Sequence, residues 1–114
     1  MPVLSPLLEK KPYEVQFNAG SEGAPAGQYV MLTGWVPKDG AAGLPAATDD
    51  EMAPGEFARQ SGTAPAFTDA WRLRIEIQVP HPQGSGTLIV TQGDDHQTVS
   101  VTEDTVYLVP LAQP

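Results

Sequence analysis

The sequence predicts an all-β protein, an antiparallel β-sandwich or jelly-roll-like barrel of about six strands. Residues 71–79 alternate strictly between apolar and polar side chains, which is the pattern of a half-buried strand. Other short apolar segments are separated by turns rich in Gly, Pro and Asp, as expected for strands joined in an antiparallel sheet. A chain of 114 residues forms one domain, so we expect a single β-domain over residues 1–114.

Residues 1–12, MPVLSPLLEKKP, are predicted to form an extended N-terminal arm. Three prolines in this segment prevent a regular helix and favour an extended path. The arm is too apolar for a solvated tail, so we expect it to lie on a surface of its own chain or of a neighbour. Its lysines follow its apolar residues, which is the reverse of the order in a signal peptide.

Two strands are expected after the arm. Tyr13, Val15 and Phe17 alternate with polar residues and predict a short amphipathic strand, ended by the turn-prone residues 18–27. Residues 28–36 form the second predicted strand, which is apolar on both faces. One face carries Tyr29, Met31 and Trp35, and the other carries Val30, Leu32 and Val36. Such strands are normally covered on both sides, here by the sheet and by a loop or another subunit.

Residues 37–69 are rich in Gly, Ala and Pro and predict a long loop, an unusual length unless the loop is functional or disordered. Residues 48–51 match a helix capping box, but Pro54 follows within a turn. We therefore expect at most a helix of one or two turns around residues 51–60. The few large apolar side chains of the loop are expected to anchor it on a surface, and they are Leu44, Met52, Phe57 and Phe67.

Residues 70–111 are predicted to form an antiparallel meander in which successive strands are neighbours. The expected strands span 70–79, 87–92, 97–102 and 105–111, and the turns between the first three lie at 81–86 and 93–95. The last strand again has two apolar faces, with Val106 and Leu108 on one and Tyr107, Val109 and Leu111 on the other.

Composition restricts the possible partners. The 14 acidic and 6 basic residues give a net charge of -8, which repels nucleic acid and anionic membrane surfaces. No segment reaches the roughly 20 apolar residues of a spanning helix, so we expect a soluble protein. Without the arm and the long loop the remaining β-core is small, and small cores commonly need disulfides, metals or oligomerisation. The absence of cysteine excludes disulfides and favours association with other chains.

No catalytic residue, metal ligand or cofactor site is predicted. The metal candidates are residues 94–96, Asp-Asp-His, and His81, but these lie at opposite ends of the predicted strand 87–92, roughly 20 Å apart. Solvated turn residues are the simpler explanation, because Asp is a common turn former. Residues 84–86, Gly-Ser-Gly, lack the Gly-x-Ser-x-Gly pattern of a nucleophile elbow, and a tight turn accounts for the adjacent acids at 103–104.

The favoured function is a non-enzymatic structural or interaction subunit of a larger protein assembly. The small core, the apolar arm and the long loop are typical of a virion accessory protein, which decorates a capsid or associates with a tail. The expected partners are further copies of this chain, a larger shell or tube protein, or both. The residues expected to contact them are Val3, Leu4, Leu7, Leu8, Leu44, Met52 and Phe57.

An alternative function is a small β-sandwich module that binds carbohydrate or another ligand. Trp35, Trp71 and Tyr107 are the candidates for stacking on a sugar, although aromatic residues on strands more often belong to the core. A small metal-dependent jelly-roll enzyme is the third possibility. It is disfavoured because the chain has two histidines, both in predicted turns.

Overall fold

The computed structural model describes residues 4–20, 29–38, 48–80 and 84–113, and this part of the chain contains eight strands and no helix. The predicted all-β sandwich is confirmed, with eight strands in place of about six. The strands are β1 (Pro12–Ala19), β2 (Tyr29–Pro37), β3 (Thr48–Met52), β4 (Phe57–Thr63), β5 (Trp71–Gln78), β6 (Gly86–Gln92), β7 (Asp95–Val101) and β8 (Thr105–Val109).

The strands form two four-stranded antiparallel sheets. The first sheet has the order β4-β1-β6-β7 and the second has the order β3-β2-β5-β8. Consecutive strands are neighbours in the pairs β2–β3 and β6–β7, and every other connection crosses from one sheet to the other. The edge strands of the sandwich are therefore β4 and β7 in the first sheet and β3 and β8 in the second.

The predicted meander is wrong, because β5 and β6 lie in different sheets, as do β7 and β8. The turn before β8 explains this placement. The Asp104 carboxylate accepts a hydrogen bond from the backbone N–H of Val79, with a nitrogen to oxygen distance of 2.9 Å. This contact holds the start of β8 beside the end of β5, so β8 joins the sheet of β5 instead of continuing beside β7.

The alternation predicted for β5 is confirmed by its burial. Leu73, Ile75 and Ile77 are buried, whereas the residues between them are partly or fully exposed. In the register of the second sheet, Ile75 lies between Thr33 of β2 and Tyr107 of β8. The inward side chains of both sheets meet in one core. Its largest fully buried side chains are Tyr29, Phe17, Leu7, Met31, Met52, Leu73, Ile75, Ile77, Leu88, Val15 and Val90.

The segment predicted as a long loop with a short helix contains β3 and β4, so that prediction is wrong. The residues of the supposed capping box pair with β2, from Thr33 opposite Thr48 to Val30 opposite Glu51. Gly55, with a φ of 84°, allows the chain to turn, and β4 then pairs with β1 along its whole length. Backbone pairing with strands distant in sequence replaces the local helix.

The N-terminal arm folds onto its own chain. Leu4 and Leu7 are buried in the core cluster. The N–H of Leu7 donates to the carbonyl of Pro110 at 3.0 Å, and its carbonyl accepts from Ala112 at 2.8 Å. These two bonds form a parallel bridge between Leu7 and Leu111. The arm therefore closes the sandwich beside the end of β8.

Two glutamine side chains fix the other side of the arm. The Gln92 amide accepts from the N–H of Leu8 at 2.6 Å and donates to the carbonyl of the same residue at 2.9 Å. Gln97 makes the same pair of bonds to Ser5, at 2.5 and 3.3 Å. Each side-chain amide bonds to the arm as a peptide group of an adjacent strand would. The arm is therefore attached to the first sheet although it does not itself form a complete strand there.

Candidate functional site

The first candidate site is an apolar strip on the outer face of β8. Val106 is 44% exposed and Leu108 is 41% exposed, while Tyr107 and Val109 between and beside them are buried. The two apolar faces predicted for this strand are therefore present. The strip lies at an edge of the second sheet, where β8 pairs with β5 on one side and with no described strand on the other. It combines exposed apolar side chains with unpaired strand backbone.

The charges beside the strip neutralise one another. In the register of β5 and β8, Arg74 lies opposite Leu108, and Glu76 lies opposite Val106. The Arg74 Nη1 and Glu76 Oε1 atoms are 2.8 Å apart. A hydrogen bond from Gln78, and secondarily the neighbouring Arg74, hold the pKa of Glu76 below its ordinary 4.5, although partial burial acts in the opposite direction. On the β5 side the strip is thus bordered by an ion pair, and the acidic residues Glu103 and Asp104 precede it in the chain.

The other edge strands of the described part of the chain all carry charged or ionisable residues. β3 contains Asp50 and Glu51, β4 contains Arg59, and β7 contains Asp95 and His96. Charged side chains on an edge discourage pairing with another chain. β8, with the sequence TVYLV, has no residue that is charged at neutral pH. It is the edge most suited to association.

The second candidate site is a cleft at the opposite side of the sandwich, between β3 and β4. Its volume is about 500 Å³, and its lining includes Tyr13 of β1, Trp35 of β2, Asp50 of β3 and Gln60 of β4. Each of these four residues lies on a different strand, and they are up to 47 positions apart in the sequence. The cleft is therefore a product of the tertiary fold, with no sequence motif behind it.

Two aromatic rings form one corner of the cleft. The centroids of Tyr13 and Trp35 are 6.1 Å apart and their planes meet at 80°. The indole Nε1–H of Trp35 donates to the Tyr13 hydroxyl at 3.1 Å. Tyr13 also lies opposite Gly62 of β4, where an added Cβ would come within 2.9 Å of the hydroxyl oxygen. Burial raises the pKa of Tyr13 above 10.0, partly offset by the bond from Trp35.

Polar side chains form the rest of the cleft. The Thr33 hydroxyl donates to the Gln60 side-chain carbonyl, and the Gln60 Nε2 amide donates to the Asp50 Oδ2 atom at 2.8 Å. This chain of hydrogen bonds fixes the orientation of the amide and of the carboxylate. Arg59 at the rim is held by Glu14 at 3.3 Å, and its guanidinium lies 5.3 Å from the centre of the Phe57 ring.

The structure separates the residues predicted to contact a partner. Leu8 is 44% exposed and Phe57 is 58% exposed, so both are available at the surface. Leu4, Leu7 and Met52 are instead buried in the chain's own core and offer no surface to a partner. The sheets of this chain provide the cover that was expected from a neighbour. The remaining two, Val3 and Leu44, lie outside the described residues.

The three aromatic residues proposed for ligand stacking have different environments. Trp35 lines the cleft, and Trp71 is 40% exposed at the start of β5. Tyr107 is 5% exposed and faces the core, where burial raises its pKa above 10.0. Tyr107 lines a second cleft of about 500 Å³ between the end of β7 and β8, but little of its ring is exposed for stacking on a ligand. Trp35 is the partly exposed one of these two cleft-lining aromatic residues.

The described candidates for metal binding lie where β6 turns into β7, with Asp94 in the turn and Asp95 and His96 at the start of β7. Asp94, Asp95 and His96 are exposed at the β6–β7 hairpin, and His81 lies outside the described residues. Within residues 4–20, 29–38, 48–80 and 84–113, no group of three potential metal-binding side chains is close enough to share an ion. The backbone N–H of Ser85 donates to the Tyr29 hydroxyl at 3.2 Å, which is a structural contact. Among the described residues no helix is suited to crossing a membrane.

Comparison of this chain with protein-family models, with characterised proteins and with solved structures finds no match. The features of this chain that bear on function are therefore its two candidate sites. Sequence reasoning identified the two apolar faces of β8 but did not place Val106 and Leu108 among the contact residues. It missed Tyr13, Asp50 and Gln60 because strand pairing alone brings them together.

Proposed function

We propose that this protein is a non-enzymatic structural or interaction subunit of a larger assembly, and that it associates through β8. The observation that carries the proposal is the exposure of Val106 and Leu108 on an edge strand without charge. An edge strand with these properties is a template for pairing with another chain, since no described strand pairs with its outward N–H and C=O groups.

A second copy of the chain fits this edge. In a two-fold antiparallel contact centred on Tyr107, Val106 of one copy lies opposite Leu108 of the other. The exposed apolar residues then pair twice by symmetry, as in an isologous interface. Pro110 has no N–H and limits the length of the paired segment on one side. The net charge of -8 opposes non-specific association, and the strip is an uncharged place at which specific association meets least repulsion.

The kind of assembly that we propose is a virion accessory protein, attached to a capsid or tail. Its support is the combination of a small acidic chain, the absence of cysteine and the exposed strip on β8. The buried arm lends no support to a role in contacts between subunits. Leu8 and Phe57 are the originally predicted contact residues that the described surface leaves available.

Charge substitutions on the strip test the proposal. Val106→Glu combined with Leu108→Glu places like charges opposite each other in the proposed contact, so the assembly should dissociate. The matched control is Phe57→Glu, because Phe57 is equally apolar, more exposed and located on the other sheet. Sedimentation equilibrium of the three proteins should show a monomer for the double variant and an unchanged mass for the control. Equal masses for the double variant and the native chain would contradict the proposal.

A further inference from the structure

We propose that the cleft between β3 and β4 binds an uncharged saccharide. This cleft lies at the edge of the sandwich opposite to β8, so the inference does not depend on the contact proposed above. The residues that carry it are Tyr13, Thr33, Trp35, Asp50 and Gln60.

The size and opening of the cleft suit a small ligand. Its volume of about 500 Å³ falls within the range of roughly 300–1,000 Å³ typical of ligand sites. Thr33 is the last residue of β2 that pairs with β3, and from Gly34 onwards β2 pairs with β5 alone among the described strands. The cleft is reached from solvent, because the side chains that carry the inference are all partly exposed.

The aromatic corner supplies the apolar part of the recognition. A pyranose ring has a C–H face that packs against an aromatic ring, and an indole offers the largest such surface. Trp35 is half-buried and is fixed by its hydrogen bond to Tyr13, so its position costs little entropy when a ligand binds. The T-shaped arrangement gives the corner two walls at 80° to each other.

The polar side chains supply both donors and acceptors. Asp50 Oδ2 accepts from Gln60, and a carboxylate can accept further hydrogen bonds from ligand hydroxyls. The Tyr13 hydroxyl accepts from Trp35 and can itself donate. Neighbouring sugar hydroxyls can likewise donate and accept, and hydrogen bonds to a carboxylate are among the stronger ones.

An organic cation is the competing ligand, since aromatic rings and a carboxylate also attract positive charge. The cleft favours the uncharged ligand because its polar lining is dominated by hydroxyl and amide groups, with Asp50 as the one carboxylate among the described lining residues. Arg59 also lines the cleft, so its lining carries a cation as well as the Asp50 carboxylate.

The experiment uses the full chain carrying Trp71→Phe, in which Trp35 is the single tryptophan and its fluorescence reports on the cleft. The probes are cellotetraose, maltotetraose, chitotetraose and galactotetraose, with choline chloride as the cationic probe. We expect a saturable change in Trp35 fluorescence with at least one saccharide and none with choline. Adding Asp50→Ala should weaken that binding about tenfold or more, the loss expected for hydrogen bonds to a charged group.

Asp95→Ala is the matched control, because it removes the same charge from the opposite edge of the sandwich. It should bind the saccharide like the parent. If Asp50→Ala fails to fold, Asp50→Asn keeps the shape of the side chain, removes its charge and should also weaken binding. No saturable response to any saccharide, a response to choline alone, or saccharide binding unaffected by Asp50→Ala or by Asp50→Asn would each overturn the inference.

Discussion

Substitution of Leu7 by alanine should destabilise the whole domain, although the residue belongs to an N-terminal arm. Leu7 is 1% exposed and lies in the same core cluster as residues of both sheets. Replacing a fully buried leucine by alanine costs about 2–5 kcal/mol, from lost burial and from the cavity that remains. A domain of this size has a free energy of unfolding of about 5–15 kcal/mol, so one substitution in the arm should remove a large fraction of it.

Urea unfolding followed by circular dichroism measures this loss. Leu8→Ala is the matched control, because the adjacent leucine is 44% exposed and should cost less than about 1 kcal/mol. Deletion of residues 1–12 should likewise destabilise the β-core, whereas an arm used only for assembly would leave the core unaffected. A loss below about 0.5 kcal/mol for Leu7→Ala, or equal losses for the two leucines, would refute the conclusion that the arm is part of the core.

Three further predictions concern single side chains. Gly86→Ala should lower stability by about 1–3 kcal/mol in thermal unfolding, because an added Cβ would overlap the Phe17 ring, and an unchanged melting temperature would contradict this. Burial raises the pKa of Tyr107, so the unfolded chain releases this proton more readily than the folded chain does. The free energy of unfolding should therefore fall as pH rises above 10.0. Tyr107→Phe should reduce that fall, as measured by urea unfolding at several pH values. The lowered pKa of Glu76 stabilises the folded chain above the ordinary pKa of 4.5, and this stabilisation is lost as pH falls through the lower folded value. Glu76→Gln should therefore make the acid limb of the same pH profile less steep. A steeper acid limb would contradict the stabilising role of the ionised Glu76.

The sequence was sufficient to predict the fold class because the signal is local. The alternation in residues 71–79 sets one buried and one polar face, and β5 has those two faces. Residues 57–63, FARQSGT, lack this signal, since small and polar side chains fill most of the strand. All seven residues pair with β1, a strand about 45 positions earlier in the sequence. This pairing stabilises β4 and is not encoded in the local sequence.

The candidate sites were likewise predictable only where the signal lies within one strand. The exposed strip on β8 could be anticipated, because apolar residues on both faces of one strand leave one face without a core to cover it. The burial of Leu7 could not, because its backbone partners are Pro110 and Ala112 at the other end of the chain. The cleft could not be anticipated from the sequence either. Trp35 was singled out as an aromatic residue, but its polar neighbours Asp50 and Gln60 become neighbours only after two sheets have formed.

The molar mass of the native chain in solution, determined by light scattering after size exclusion over a concentration series, tests the central claim most directly. Association through β8 predicts a mass that rises with concentration from that of the 12.1 kDa chain to at least twice that value. At about 1 mM protein, a contact worth only about 4 kcal/mol would already be substantially populated. A mass of 12.1 kDa that stays constant up to that concentration would contradict self-association through the uncharged edge strand.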